Sequence, residues 1–190
     1  MLNRRECVRH MLADRGDLLV IGGLGAPTYD IAAAGDHPLN FYLWGAMGSA
    51  AMVGLGLALA KCRNRVLVIT GDGEMLMGIG ALATIGVKQP PNLAILVLDN
   101  RRYGETGMQA SHTDSGIDLA GMADACRFRV ARTISSAREL EEGCRLLRSA
   151  EGPVFIQAVV EPEAVPRVLP TRNGHDIRLR FTQRLASIST

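Results

Sequence analysis

The residues with the clearest chemical potential are Gly71-Asp72-Gly73 and Asn100. Each follows an aliphatic run, RVLVIT for the first and NLAILVL for the second. Glycines let the backbone turn sharply, so the amides of a following helix can face an anion. Asp72 would repel a bare diphosphate, which requires a bridging cation, and a carboxylate, an amide oxygen, a backbone carbonyl and phosphate oxygens suit magnesium. Either motif alone would make an ordinary turn; the pair at two strand ends favours a metal-diphosphate site.

A second glycine cluster, Gly22-Gly23-Leu24-Gly25, follows the first aliphatic run. It lacks the third glycine of a dinucleotide loop, and residues 41–60 contain no acidic residue that could hold a ribose. A nicotinamide site is therefore disfavoured. The pattern favours a turn whose amides approach another phosphate, and Gly25 is assigned to that role.

Short aliphatic runs alternate with helical patterns along the chain, which indicates a parallel sheet covered on both faces. The prediction is an α/β fold, a three-layer αβα doubly wound parallel sheet of about six strands. In such sheets ligands bind at the carboxyl ends of the strands, near a topological switch point. The expected strands are 17–22, 40–44, 65–70, 92–98, 128–133 and 153–160, and the expected helices are 28–34, 47–61, one after Gly73 to about 87, and 135–150.

The last thirty residues differ from the rest. They contain several prolines and arginines, and residues 177–186 are compatible with a short helix that packs on the domain or on a partner. The predicted organisation is a cofactor-binding domain at 1–160 followed by a basic C-terminal extension at 161–190.

Composition excludes several classes of function. With 21 basic and 19 acidic residues and only 4% aromatic residues, neither nucleic acid nor a membrane surface is an expected partner. The four cysteines are too dispersed for a metal knuckle or a redox pair, which indicates a cytoplasmic protein. Residues 41–60 are uncharged and long enough to span a bilayer, but four glycines favour a strand followed by a close-packed buried helix.

The segment from Gly71 to Asn100 resembles the signature of thiamine diphosphate-dependent enzymes, a GDG followed after about 25 residues by an Asp-Asn or Asn-Asn pair. The resemblance implies thiamine diphosphate and Mg²⁺ as cofactors. It implies that Asp72, Asn100 and the backbone oxygen of Arg102 bind the metal, and that the backbone of Gly73 and Glu74 contacts the diphosphate. The cofactor-binding residues assigned in this way are Gly25, Gly45, Met47, Gly71, Asp72, Gly73, Glu74, Asn100, Arg102, Tyr103 and Gly104.

The run Gly45-Ala46-Met47-Gly48 is similar to the family segment beneath the bent cofactor. By that resemblance the Gly45 carbonyl accepts from the aminopyrimidine, and Met47 wedges between the two rings. From the residue alone, core packing would be the favoured explanation of Met47.

Within this superfamily, the stretch from Asp99 to Thr113 is similar to the β subunit of sulfopyruvate decarboxylase and to the C-terminal part of phosphonopyruvate decarboxylase. The resemblance implies decarboxylation of a small 2-oxo acid, with His112 in proton transfer or substrate binding; a loop histidine without function is the alternative. Arg101, Arg102 and Glu105 depart from the family pattern. The two arginines could attract an acidic substrate or be solvated.

The family takes a catalytic glutamate from a separate pyrimidine-binding domain, for which 190 residues leave no room. The expectation is therefore a β subunit that shares its cofactor with a separate pyrimidine-binding α subunit. Alternatives are a carboligase similar to acetolactate synthase, a subunit of a 2-oxo acid:ferredoxin oxidoreductase, and a nicotinamide enzyme or non-catalytic binding module.

Overall fold

The main sheet has six parallel strands, which in spatial order are β2 (Asn40–Tyr42), β1 (Leu19–Gly22), β3 (Val66–Gly71), β4 (Leu93–Asp99), β8 (Val154–Val159) and β7 (Val130–Ile134). The computed structural model describes residues 1–163 and 165–188. In chain order the elements are α1 (Arg4–Leu12), β1 (Leu19–Gly22), α2 (Ala26–Ala33), β2 (Asn40–Tyr42), α3 (Ala50–Ala60), β3 (Val66–Gly71), α4 (Asp72–Met77), α5 (Gly80–Lys88), β4 (Leu93–Asp99), β5 (Arg102–Tyr103), β6 (Gln109–Ala110), a 3₁₀ turn (His112–Ser115), α6 (Leu119–Ala125), β7 (Val130–Ile134), α7 (Ala137–Ser149), β8 (Val154–Val159) and α8 (Gly174–Ile188).

Helices cover both faces of the sheet because alternate residues of each strand point to opposite sides. In β3, Val66 and Val68 pack into one apolar cluster, and Leu67 and Ile69 pack into the other. The first cluster is completed by α3, α5, α6 and most of α8, and the second by α1, α2 and α7. The predicted three-layer αβα fold is confirmed.

Two predicted helices begin or end elsewhere. The small-residue helix starts at Ala50 rather than at Met47, because Ala46 and Gly48 have positive φ angles, 54° and 89°, that an α-helix cannot contain. The helix after β3 is two helices, α4 and α5, separated at Gly78. A Cβ at Gly78 would overlap the carbonyl oxygen of Gly48. Glycine at this break therefore allows the loop before α3 to lie close to the connection between α4 and α5.

The small-residue character of α3 has the expected packing reason. A Cβ at Gly54 would overlap the side chain of Val68 in β3, so glycine allows the helix to lie close against the sheet. Residues 41–60 therefore contain the end of a strand and a helix, as predicted. Across the residues that the structure describes, none of the helices combines the length and the apolar character needed to cross a membrane.

Several elements were not predicted. They are the helices α1 and α6, the β5–β6 ribbon and the 3₁₀ turn. The expected C-terminal helix is present and longer than 177–186, and its Phe181 and Leu185 pack into the core. Arg180 and Arg184 pair with Asp36 and Asp17, so part of the basic character of this segment is used within the chain.

The strand order creates a topological switch point between β1 and β3. From β1 the chain passes to α2 on one face, and from β3 it passes to α4 and α5 on the other. The loops that leave these neighbouring strands diverge, which opens a crevice at the carboxyl edge of the sheet. The two glycine motifs identified in the sequence lie on either side of this crevice.

Candidate functional site

A cleft of about 480 Å³ lies at the carboxyl ends of β1, β3 and β4, and we call it the switch-point cleft. Two predicted glycines lie outside its lining: Gly25 sits between the lining residues Leu24 and Ala26, and Gly45 is exposed before α3. The predicted residues that it brings together are Met47, Gly71, Asp72, Gly73, Glu74, Asn100, Arg102, Tyr103 and Gly104.

Asp72 is the first residue of α4 and is only 2% exposed. Its Oδ2 accepts hydrogen bonds from the hydroxyls of Ser111 and Thr113. The pKa of Asp72 is raised to about 6, mainly by burial and also by the nearby Asp99, against the opposing effect of the hydroxyl donors. A buried carboxylate whose ionised form is disfavoured is suited to a cation, because a cation would offset the cost of burial.

Ser111 and Thr113 were not identified as site residues from the sequence. Thr113 also donates to Asp99 Oδ1 at 2.7 Å, and Gln157 Nε2 donates to Asp99 Oδ2 at 2.7 Å. These bonds connect the ends of β3, β4 and β8 through buried polar side chains. The signal available in the sequence was the alternation of two hydroxyl residues around His112.

Asn100 follows the last residue of β4, and Arg102 begins β5. Asn100 Oδ1 accepts the backbone N–H of Arg102 at 3.0 Å, which closes a tight turn. The Arg102 guanidinium pairs with Asp114 at 2.6 Å. Among residues 1–163 and 165–188, no three or more His, Cys, Asp or Glu side chains are grouped as metal ligands. A metal here would instead use one carboxylate, one amide oxygen and a backbone carbonyl, a set of hard oxygen donors that fits Mg²⁺.

Glu74 connects the loops on the two sides of the switch-point cleft. Its Oε2 accepts the Leu24 N–H at 2.8 Å and the Thr70 hydroxyl at 2.8 Å. A Cβ at Gly23 would overlap this carboxylate, which explains a glycine at that position. The other oxygen, Oε1, is buried without a hydrogen-bond partner. The sequence predicted only a backbone role for Glu74, so its side chain is an addition from the structure.

A second cavity, the Met47 pocket, has a volume of about 430 Å³ and adjoins the switch-point cleft. Tyr103 Oη lies 3.3 Å from Nδ1 of the exposed His112, so both predicted polar residues meet here. A Cβ at Gly73 would lie 2.5 Å from Tyr103 Cε1, so glycine is needed for this close approach. The Met47 pocket is lined by Met47, Gly73, Leu76, Met77, Tyr103, His112, Ile117 and Met122.

Of the residues that depart from the family pattern, Arg102 and Glu105 line the switch-point cleft, whereas Arg101 is in the lining of neither cavity. Arg101 is exposed with a positive φ of 60°, and exposed Glu105 pairs with Arg167 of the C-terminal segment at 3.2 Å. Arg167, Val165 and Glu163 line the switch-point cleft, a role that the sequence did not indicate for this segment. Arg4 of α1 also lines it, and no motif in the sequence marked that residue.

Residues 23–158 match the family described as thiamine pyrophosphate enzyme, C-terminal TPP binding domain. The chain is 40% identical over 162 residues to the sulfopyruvate decarboxylase subunit beta of Methanothermobacter thermautotrophicus, covering 85% of this chain and 84% of that protein. It is 35% identical over 179 residues to the phosphonopyruvate decarboxylase of Streptomyces viridochromogenes, covering 92% of this chain and 45% of that protein.

Solved structures show the same fold. Benzoylformate decarboxylase from Polynucleobacter necessarius aligns with a TM-score of 0.68 at 15% identity, covering 87% of this chain and 34% of that one. A solved chain from Mycobacterium smegmatis aligns with a TM-score of 0.70 at 22% identity, covering 86% and 35% respectively. The chain thus spans about a third of these longer chains, and the likeness supports the fold alone.

Proposed function

Because the chain belongs to the thiamine pyrophosphate enzymes, through their C-terminal TPP binding domain, we propose that it is the β subunit of a 2-oxo acid decarboxylase that uses thiamine diphosphate and Mg²⁺. Relatives named as sulfopyruvate decarboxylase subunit beta, at 33% to 40% identity, support a substrate of the sulfopyruvate or phosphonopyruvate type. The observation that carries the proposal is the burial of Asp72 in one cleft with Asn100 and Arg102.

The residues of the switch-point cleft fit a metal-bound diphosphate. Asp72, Asn100 and the carbonyl of Arg102 would hold Mg²⁺, and the backbone after Gly71 would face the phosphate oxygens. Gly25 would let the first loop approach the same group. Thiamine diphosphate, when bound, supplies the electron sink for loss of carbon dioxide from a 2-oxo acid.

The residues of the Met47 pocket would orient and protect the reacting end. Met47 borders both cavities. Its side chain would wedge between the two rings of the cofactor and set the angle between those rings. Gly45 is exposed before α3, and its carbonyl would accept from the aminopyrimidine. His112, beside Tyr103, would hold or transfer a proton, or bind the anionic group of the substrate.

The missing half of the site would come from a separate pyrimidine-binding α subunit. Met77 at the Met47 pocket is 68% exposed, and Ile117 and Met122 are each 37% exposed. Exposed apolar side chains at the edge of a site are typical of a surface that another protein covers. The word "subunit" in the names of the sulfopyruvate decarboxylase relatives supports the same arrangement.

Native mass spectrometry of the tagged chain, purified from its own cells, tests the proposal directly. We expect a second chain of similar size together with the mass of thiamine diphosphate and magnesium. A homo-oligomer that retains the cofactor would contradict the two-subunit part, and a chain free of cofactor after addition of Mg²⁺ and thiamine diphosphate would contradict the rest. Product analysis then separates decarboxylation, which gives an aldehyde, from carboligation, which gives a hydroxyketone.

A further inference from the structure

Arg4 stands on the wall of the switch-point cleft although it lies far from the recognised motif in sequence. Leu2 pairs with the end of β8, donating to Val159 O at 3.1 Å and accepting from Glu161 N–H at 2.9 Å. This pairing fixes the first turn of α1 at the carboxyl edge of the sheet. Arg4 is therefore held in place by the backbone and is only 8% exposed.

The charge around Arg4 is unbalanced in favour of the cation. Asp30 is fully buried, and its two oxygens are shared: Arg4 Nε lies 2.9 Å from Oδ2 and Arg5 Nε lies 3.1 Å from Oδ1. Burial raises the pKa of Asp30, and the two arginines oppose that rise. Two guanidinium groups thus share one carboxylate, which leaves one positive charge without a counterion in this cluster.

The two arginines differ in what their remaining donors do. Arg5 Nη2 donates to the carbonyl of Pro166 at 2.7 Å. Arg4 has no partner other than Asp30 within residues 1–163 and 165–188, and its side chain borders the cleft. Of the other acids in the lining, Glu163 accepts from Asn3 and Glu105 pairs with Arg167. Asp72 and Glu74 accept the hydrogen bonds described above and none of them comes from Arg4. The free donors of Arg4 are therefore available to bind an anion in the cleft.

We propose that Arg4 is a ligand of the cofactor's diphosphate group, a role that rests on the proposed function. A diphosphate carries more negative charge than one Mg²⁺ beside Asp72 can neutralise, and a planar guanidinium matches phosphate oxygens with two parallel donors. Arg4 lines the cleft with Asp72 and Asn100 and is absent from the lining of the Met47 pocket. That placement assigns it to the diphosphate rather than to the 2-oxo acid.

The test compares Arg4→Ala with Arg5→Ala, because both changes remove one arginine from the same Asp30 and only the first removes a donor from the cleft. The complex is purified through a tag on this chain and stripped with a chelator. Titration calorimetry then gives the Kd for thiamine diphosphate and for inorganic pyrophosphate, each with Mg²⁺. We expect Arg4→Ala to weaken both by about tenfold to a hundredfold, and Arg5→Ala to change them by less than about threefold.

Three outcomes would overturn the inference. They are an unchanged Kd in Arg4→Ala, an equal loss in Arg5→Ala, and a rise only in the KM for the 2-oxo acid. Arg4→Lys provides a second test if Arg4→Ala unfolds: it keeps the charge without the planar fork, and we expect an intermediate Kd. Failure of the wild-type complex to bind the cofactor would instead refute the proposed function, so the two failures are distinguishable.

Discussion

The two cavities meet at Met47, Gly73 and Tyr103 but are built differently. The polar groups of the switch-point cleft that stand at strand ends are fixed by this chain's own hydrogen bonds, as Asp72 is by Ser111 and Thr113. The Met47 pocket is lined largely by flexible apolar side chains, and one of them, Met77, is mostly exposed.

The difference indicates which half of the chemistry this chain supplies by itself. Buried, interconnected polar groups are preorganised and need no second protein to hold them. Methionine side chains are adaptable and take their final positions against whatever packs on them. On the proposed function, the cleft would need no partner residues to hold the metal and the diphosphate, whereas the exposed pocket would be covered by the proposed α subunit.

Among the changes that test the comparison between the two cavities, removal of the buried Asp72 carboxylate should have the largest effect. Asp72→Ala deletes the only carboxylate of the proposed metal site, so we expect Mg²⁺-dependent binding of thiamine diphosphate to weaken by at least about a hundredfold, the loss of a charge-assisted metal contact. Calorimetry with and without chelator measures it. Glu142→Ala removes an exposed carboxylate of α7 that lines neither cavity, and serves as the control. Tight binding in Asp72→Ala would refute the metal-ligand assignment.

A backbone contact beside the Met47 pocket provides the next test. In Gly78→Ala the new Cβ overlaps the carbonyl oxygen of Gly48, and because both sides are backbone the clash cannot be relieved by a rotamer change. We expect the free energy of unfolding to fall by about 2–3 kcal/mol, as for overpacked sites. Gly80→Ala is the matched control, since its Cβ would meet nothing within 4 Å. Equal stabilities of the two variants in chemical denaturation would contradict this account.

The raised pKa of Asp72 predicts that this buried carboxylate lowers the stability of the folded chain in a pH-dependent way. Because the folded-state pKa, about 6, exceeds the usual 3.8, the folded chain binds the proton more tightly than the unfolded chain. The free energy of unfolding therefore falls as pH rises from about 4 to about 6, and it stays lower by the full amount above a pH of about 6. Without metal, Asp72→Asn should be more stable than wild type at pH 8 by on the order of 2 kcal/mol.

Thermal unfolding of both proteins in chelator, from pH 4 to pH 8, measures this difference. The gap between Asp72→Asn and wild type should close as pH falls below about 4, where the wild-type carboxyl is protonated in both states. A gap that stays constant across the range would show that the substitution acts through packing rather than through charge.

Much of the fold was predictable because its strands are buried on both faces. A strand such as β4 is apolar from its first residue, Leu93, to Leu98, and this pattern identifies a parallel sheet without knowledge of any contact. The short elements were not predictable in the same way. The ribbon of β5 and β6 has two residues in each strand, too few for any periodicity, and α1 owes its place to pairing with the distant β8.

The site was predictable where the motif fixes the backbone and not where the tertiary structure brings side chains together. Asp72 and Asn100 follow strands and therefore had to meet at one edge of the sheet. Arg4 and Glu74 gained their positions from contacts with Asp30 and Leu24, each of which depends on how loops and helices pack. No spacing rule encodes such contacts.

The smallest expected effect concerns the side chain shared by the two cavities. If Met47 sets the angle between the two cofactor rings, Met47→Ala should misplace the reacting groups and lower kcat by about fivefold to tenfold. The Kd for thiamine diphosphate should change by less than about threefold, because the proposed diphosphate contacts lie in the cleft. Met47→Leu, which conserves volume, should retain most of the rate. An unchanged kcat would refute this role of Met47. A Kd that rises in step with the loss of kcat would instead place Met47 in the diphosphate half and show that the two cavities are not separable.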